Sequence, residues 1–270
     1  MYEKFYGLTA PPFSITPDPR YLFFSHRHRE AFEHMLFGIT QRKGFIQITG
    51  EVGAGKSTLC RAILEQLRQG FATALILNPV LTGIQLVRTI LHEFGLDDRG
   101  NDRVQLVRRL NDFLLDRLRA GQDVVLFVDE AQDMSDDLLE EIRLLSNLET
   151  DDQKLVQIVL IGQPELRKRL DRPELCQLRQ RITVRYHLGP IEREETEAYI
   201  FHRLTVAGSN GRPTFSPAAI RAIYRCSRGV PRLINAICDK ALLAGYVEDR
   251  DLITRRQVRR AVRDLEGNVS

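Results

Sequence analysis

The sequence predicts an α/β fold, a parallel five-stranded sheet sandwiched by helices and followed by a small all-helical domain. Three observations predict it. Strand-like and helix-like patterns alternate from residue 45 to about residue 188. The strand-like runs are almost continuously apolar, as strands covered on both faces must be. After Leu188-Gly189-Pro190 the strand signals stop and helical patterns follow one another.

Residues 1–40 read as a lead-in that packs on the next domain rather than a domain of their own. Pro11-Pro12 and Pro17-Asp18-Pro19 force extended or turn geometry, and Tyr2, Phe5, Tyr6, Phe13, Tyr21, Phe23 and Phe24 supply packing surface. Ser25 offers a helix cap, with Ala31, Met35, Leu36 and Ile39 apolar behind it. His26 and His28 have no third metal ligand nearby and read as solvated histidines at a helix start. The core domain, 41–190, takes strands at 45–49, 73–77, 124–128, 156–161 and 183–188, with helices between them and right-handed crossovers. The third domain, 191–270, takes helices at 192–205, 216–228, 231–247 and 254–265, with good starts at Ser216-Pro217, Pro231 and Thr254.

Composition narrows the function classes. A hydrophobic fraction of 43% with 28% charged residues is ordinary for a soluble protein. The longest apolar run, Val124 to Val128, is far short of the roughly 20 residues that span a bilayer, and the N-terminus has no signal pattern, so a cytoplasmic protein without membrane insertion is expected. Cys60, Cys176, Cys226 and Cys238 show neither C-x-x-C pairing nor metal-ligand spacing and read as thiols in a reducing compartment. The net charge of +3 is too mild to demand a nucleic-acid partner, although residues 191–270 carry 14 Lys/Arg against 10 Asp/Glu of the chain's 39 and 36.

The chemistry is concentrated in a few motifs. Gly50-Glu51-Val52-Gly53-Ala54-Gly55-Lys56-Ser57 fits every fixed position of G-x-x-x-x-G-K-[ST], with an apolar strand before it and a helix opening at Thr58 after it. Glycines at such a turn let backbone N–H groups face phosphate oxygens, Lys56 reaches the β and γ oxygens, and the Ser57 hydroxyl ligates Mg²⁺. ATP with Mg²⁺ is the expected cofactor. Val124-Val125-Leu126-Phe127-Val128 ends in Asp129-Glu130, one acid for the metal shell and one to polarise the attacking water. Asn78 and Gln163 end two further strands on that sheet edge, where an amide would orient water or restrain Glu130, or serve as a plain turn residue. Arg179 and Arg181 precede the last strand, remote in sequence from the loop, where an arginine would serve a neighbour's γ-phosphate or stay solvated. Pro231 fixes Arg232 in a first helical turn, an unfavourable place for a cation that points to an anionic partner.

These motifs in this order resemble an AAA+ ATPase. The opening Tyr-Glu-Lys-Phe-Tyr-Gly-Leu-Thr-Ala-Pro-Pro-Phe, with Thr-Pro-Asp-Pro-Arg-Tyr-Leu, is similar to the general secretion pathway protein A (ExeA-like) and MshM pilus-biogenesis group. The resemblance implies Gln163 as first sensor, Arg181 as a finger acting on a neighbouring subunit, and Arg232 with Pro231 as lid sensor. It also implies nucleotide-dependent self-association into a ring or filament. The expected partners are secretion or type IV-like pilus assembly proteins at the inner membrane. Longer members of the group continue into a transmembrane helix and a periplasmic region. A second similarity, to TniB/TnsC-like transposition regulators, implies DNA as the alternative partner. The arginines Arg255, Arg259 and Arg263 on one helix face bear on that choice.

Overall fold

The computed structural model describes residues 1–150 and 153–267. In chain order the elements are α1 (Tyr2–Tyr6), α2 (His26–Thr40), β1 (Phe45–Gly50), α3 (Lys56–Leu67), β2 (Phe71–Ile76), α4 (Gly83–Glu93), α5 (Arg103–Arg119), β3 (Asp123–Val128), α6 (Asp136–Leu145) and β4 (Gln157–Gly162). They continue with α7 (Pro164–Leu170), α8 (Cys176–Arg181), β5 (Ile182–Leu188), α9 (Thr196–Val206), β6 (Thr214–Phe215), α10 (Pro217–Ser227), α11 (Pro231–Val247), β7 (Leu252–Ile253) and α12 (Arg255–Leu265). Two compact units result. One holds Glu30–Val52 and Cys60–Leu188; the other holds Met1–Arg29, Gly53–Leu59 and Gly189–Ser270.

The first unit is built on a five-stranded sheet of order β2-β3-β4-β1-β5, and every pairing is parallel. All six residues of both β1 and β4 are buried, which is why these segments lack the alternation of a half-exposed strand. At the sheet edge β5 does alternate, and its sequence Ile-Thr-Val-Arg-Tyr-His-Leu shows it. Register places Thr49 beside Gly162 and Val128 beside Leu160, so β1, β4 and β3 end side by side. In open α/β sheets this carboxyl edge is where ligands bind. One apolar cluster, with Leu86, Ile90, Leu106, Leu126, Leu139, Ile158 and Leu160 among its members, packs helices against the sheet.

The second unit is mainly helical. Its core joins Ile200, Leu204, Ile223, Ile234, Leu242 and Val258 from α9 to α12. Three helices start as the sequence predicts: the Ser216 hydroxyl accepts from the Ala219 N–H, Pro231 opens α11, and Thr254 forms a capping box with Gln257. Two expectations need correction. The N-terminal aromatic residues do not serve the sheet: Tyr2, Tyr6, Phe13 and Tyr21 belong to the core of these C-terminal helices, where apolar partners receive them, such as Phe215, whose ring stands edge-on to Phe13 at 6.4 Å. The helical segment also contains a parallel pair, β6 with β7, only two residues long on each side and too short to leave a period-two signature. Buried Arg203 fixes the N-terminal segment further, donating from Nε to the Pro12 carbonyl at 2.6 Å and from Nη2 to that of Ser14 at 3.1 Å. Its guanidinium lies 4.7 Å from the Tyr21 ring centroid. Among the described residues no helix is long and apolar enough to cross a membrane.

Candidate functional site

In the helical unit the glycine loop makes a tight turn into α3. Gly53 and Gly55 have φ of 78° and 99°, the left-handed region that residues with a Cβ rarely adopt. The backbone N–H of Arg232, in the first turn of α11, donates to the Gly53 carbonyl at 3.2 Å. A Cβ on Gly53 would collide with the Arg232 side chain. The loop and the expected lid arginine are therefore brought together, with Pro231 buried beside them. The Arg232 side chain is exposed and has no acidic partner among the described residues. Lys56 is 7% exposed, and Ser57 and Thr58 are half-buried at the start of α3.

His28 belongs to this loop, against the expectation of a solvated histidine. It is 2% exposed, and its Nε2 lies 3.0 Å from the Ala54 carbonyl. The Ser25 hydroxyl accepts from the His28 backbone N–H at 3.3 Å and lies 2.7 Å from Nδ1. With a carbonyl at one nitrogen, the neutral ring must carry its proton on Nε2 and accept from Ser25 at Nδ1. A Cβ on Gly55 would stand 2.8 Å from Nε2, so the histidine occupies space that only glycine leaves open. Burial holds the His28 pKa below the ordinary histidine value.

In the sheet unit the acids lie at the carboxyl edge. Asp129 follows β3, is 4% exposed, and its backbone N–H donates to the Ile76 carbonyl at 2.8 Å. Its Oδ1 accepts from the Glu130 N–H at 2.9 Å. Glu130, half-buried, adopts φ 51°, ψ 37°, the left-handed conformation that residues with a side chain rarely take. Glu130 Oε2 accepts from Gln132 Nε2 at 2.8 Å, and Gln132 Oε1 accepts from the Gln163 backbone N–H at 2.9 Å. Gln163 thus enters the site through its main chain, and Gln132 is a residue that the sequence reading missed. Its spacing from Asp129 and Glu130 carries no signal by itself, because Gly162 and the Gln163 N–H come beside it only in the folded chain. On the same edge Gly50 ends β1 and is buried, while Glu51 and Val52 beyond it are exposed.

Three further candidates, two arginines and an amide, sit elsewhere. Arg181 ends α8 just before β5 begins, on the sheet edge opposite Asp129 and Gln163, and its Nη1 donates to the Ser146 hydroxyl at 2.8 Å. Arg179 lies 3.8 Å from Asp171. Asn78 is exposed, and its Oδ1 accepts from the Val80 N–H at 3.4 Å, the contact of a turn residue. On α12, Arg256 and Arg260 lie 3.8 and 3.7 Å from Glu248, whereas Arg255, Arg259 and Arg263 have no acidic partner among the described residues.

A family model described as an AAA domain matches residues 39–170, the stretch that contains the glycine loop, both acids and the β4 end. Residues 39–170 thus match the AAA family. It is 46% identical to general secretion pathway protein A of Aeromonas hydrophila over 268 residues, 99% of this chain and 49% of that protein. The chain thus spans about half the length of this curated relative. Among solved structures, Cdc6p of Pyrobaculum aerophilum matches with a TM-score of 0.69 at 16% identity, over 93% of this chain and 69% of that one. The RuvB Holliday junction branch migration motor of Thermotoga maritima matches with a TM-score of 0.61 at 18% identity, over 91% and 72%. At such identities these structures share the AAA+ fold, and the likeness extends no further.

Proposed function

We propose that this chain is an AAA+ ATPase that binds Mg²⁺-ATP, hydrolyses it, and uses the cycle to drive or time assembly of a bacterial secretion or type IV-like pilus system. The observation that carries the reading is the shared carboxyl edge, where β1 runs into the glycine loop while β3 presents Asp129-Glu130 and β4 presents Gln163. The donor set fits the nucleotide: left-handed glycines let backbone N–H groups face phosphate oxygens, Lys56 supplies an ammonium for them, and Ser57 and Asp129 supply oxygen ligands of the kind Mg²⁺ takes. Gly50 to Thr58 would hold the phosphates, Ser57 and Asp129 the metal, and Pro231 with Arg232 would border the loop from the lid. Bound Mg²⁺ would neutralise charge developing on the phosphate oxygens. Glu130 is the residue we assign to take a proton from the attacking water.

Self-association is part of the proposal. Arg181 ends α8 on the sheet edge opposite Asp129, and that position supports a role at a neighbour's nucleotide rather than its own. The proposed domain division is a core of 41–190 and a lid of 191–270, with a lead-in of 1–40 whose buried aromatic residues join the lid's interior. A cytoplasmic protein, held peripherally at the inner membrane by its secretion partners, is the corresponding location. Support for the pathway comes from the 46% identical relative's name.

The test is ATP turnover per chain against protein concentration. Turnover should rise as chains associate; Arg181→Ala should remove the rise while ATP still binds, and Lys56→Ala should abolish turnover. Equal hydrolysis after Lys56→Ala overturns the assignment. One observation favours a second reading, DNA binding of the TniB/TnsC kind: Arg193, Arg221, Arg225 and Arg228 line an open hollow of about 540 Å³ with Tyr224. DNA that stimulates turnover, with affinity falling steeply in salt, would select it.

A further inference from the structure

Glu130 is held in an unusual way. A non-glycine residue in the left-handed region costs on the order of 1 kcal/mol or more and persists only where surrounding contacts impose it. The contact on its side chain is the Gln132 amide. That amide cannot turn over: its other end faces the Gln163 backbone N–H, which can only donate, so Oε1 must face β4 and Nε2 must face Glu130. The Gln132 main chain is anchored too, since Arg169 Nη1 donates to the Gln132 and Met134 carbonyls at 2.7 and 2.6 Å. Gly162 leaves the space the amide occupies, because a Cβ there would stand 2.9 Å from Oε1.

We propose that Gln132 is a positioning residue that holds the Glu130 carboxylate and tethers it to the end of β4. The proposal rests on Glu130 serving hydrolysis. One hydrogen-bond relay then runs from the Gln163 main chain through a single side chain to the carboxylate. Any shift of the β4 end re-aims Glu130, and the acid is kept from turning aside toward Asp129 or solvent.

Two near-isosteric variants separate the two bonds. Gln132→Glu keeps an acceptor for the Gln163 N–H but replaces the donor to Glu130 with a second carboxylate. Gln132→Met removes both bonds. Amide hydrogen exchange at Gln163 should stay slow in the first variant and accelerate in the second. Turnover at saturating ATP should fall about 10- to 100-fold in both, as for other misplaced reacting groups, while ATP affinity measured by calorimetry is unchanged. Full turnover in Gln132→Glu, or slow exchange at Gln163 in Gln132→Met, overturns the proposal. If the unsubstituted protein fails to hydrolyse ATP, the function proposed above is wrong, and the exchange pattern at Gln163 still decides whether the tether exists.

Discussion

His28 shows what one side chain can do for a backbone. It fills the space beside Gly55, holds the Ala54 carbonyl and is itself held by Ser25, so the loop's shape depends on a neutral imidazole. Protonation would put a second N–H against Ser25 and a charge in a buried site. Because burial lowers the folded-state pKa, the unfolded chain binds this proton more readily, and stability rises with pH through that window. It is complete above the ordinary histidine value of 6.5 and is lost as pH falls toward the lowered one. His202 is shifted the same way by burial and by Arg203. The melting temperature should therefore drop between about pH 7.5 and about pH 5.5, and His28→Gln should flatten part of that slope. None of this was legible in the sequence. The run Ser25-His26-Arg27-His28 is polar and reads as a solvated helix start, and the loop that buries His28 lies more than twenty residues downstream. The glycine loop itself was legible because its chemistry depends on local residue types at fixed spacing.

Among the elements, the buried strands carry the sheet. Leu160 on β4 is fully buried between β1 and β3 in the larger apolar cluster, so Leu160→Ala should cost about 2–5 kcal/mol in urea unfolding, with the slope of the transition unchanged. All five strands were legible to within about two residues, since near-continuous apolar runs between helical patterns have few other meanings. The order β2-β3-β4-β1-β5 was not, because no local pattern says which strands become neighbours. Gln132 escaped notice for a related reason. It lies in a short 3₁₀ turn, and its role is visible only once β4 stands beside β3.

At the scale of the molecule, the N-terminal segment was read as service to the sheet and proves to be part of the helical unit's interior. Aromatic content announced that it would pack; only the fold says where. Arg203→Met should release the Pro12 and Ser14 carbonyls and destabilise this unit by on the order of 3 kcal/mol, because methionine can neither donate to the two carbonyls nor place a cation over the Tyr21 ring. Limited proteolysis should then cut within the first fifteen residues faster than in the unsubstituted protein.

Tyr6 joins the two extremes of the sequence. Its hydroxyl lies 3.0 Å from the Leu242 carbonyl and 3.1 Å from that of Arg250, and burial pushes its pKa up to about 12. During synthesis the aromatic residues made first must wait for partners more than two hundred positions later. The glycine turn likewise gains its Arg232 brace only when α11 has left the ribosome. A nascent or prematurely stopped chain would thus display sticky rings and a slack phosphate turn, a difference that chaperones and proteases can read.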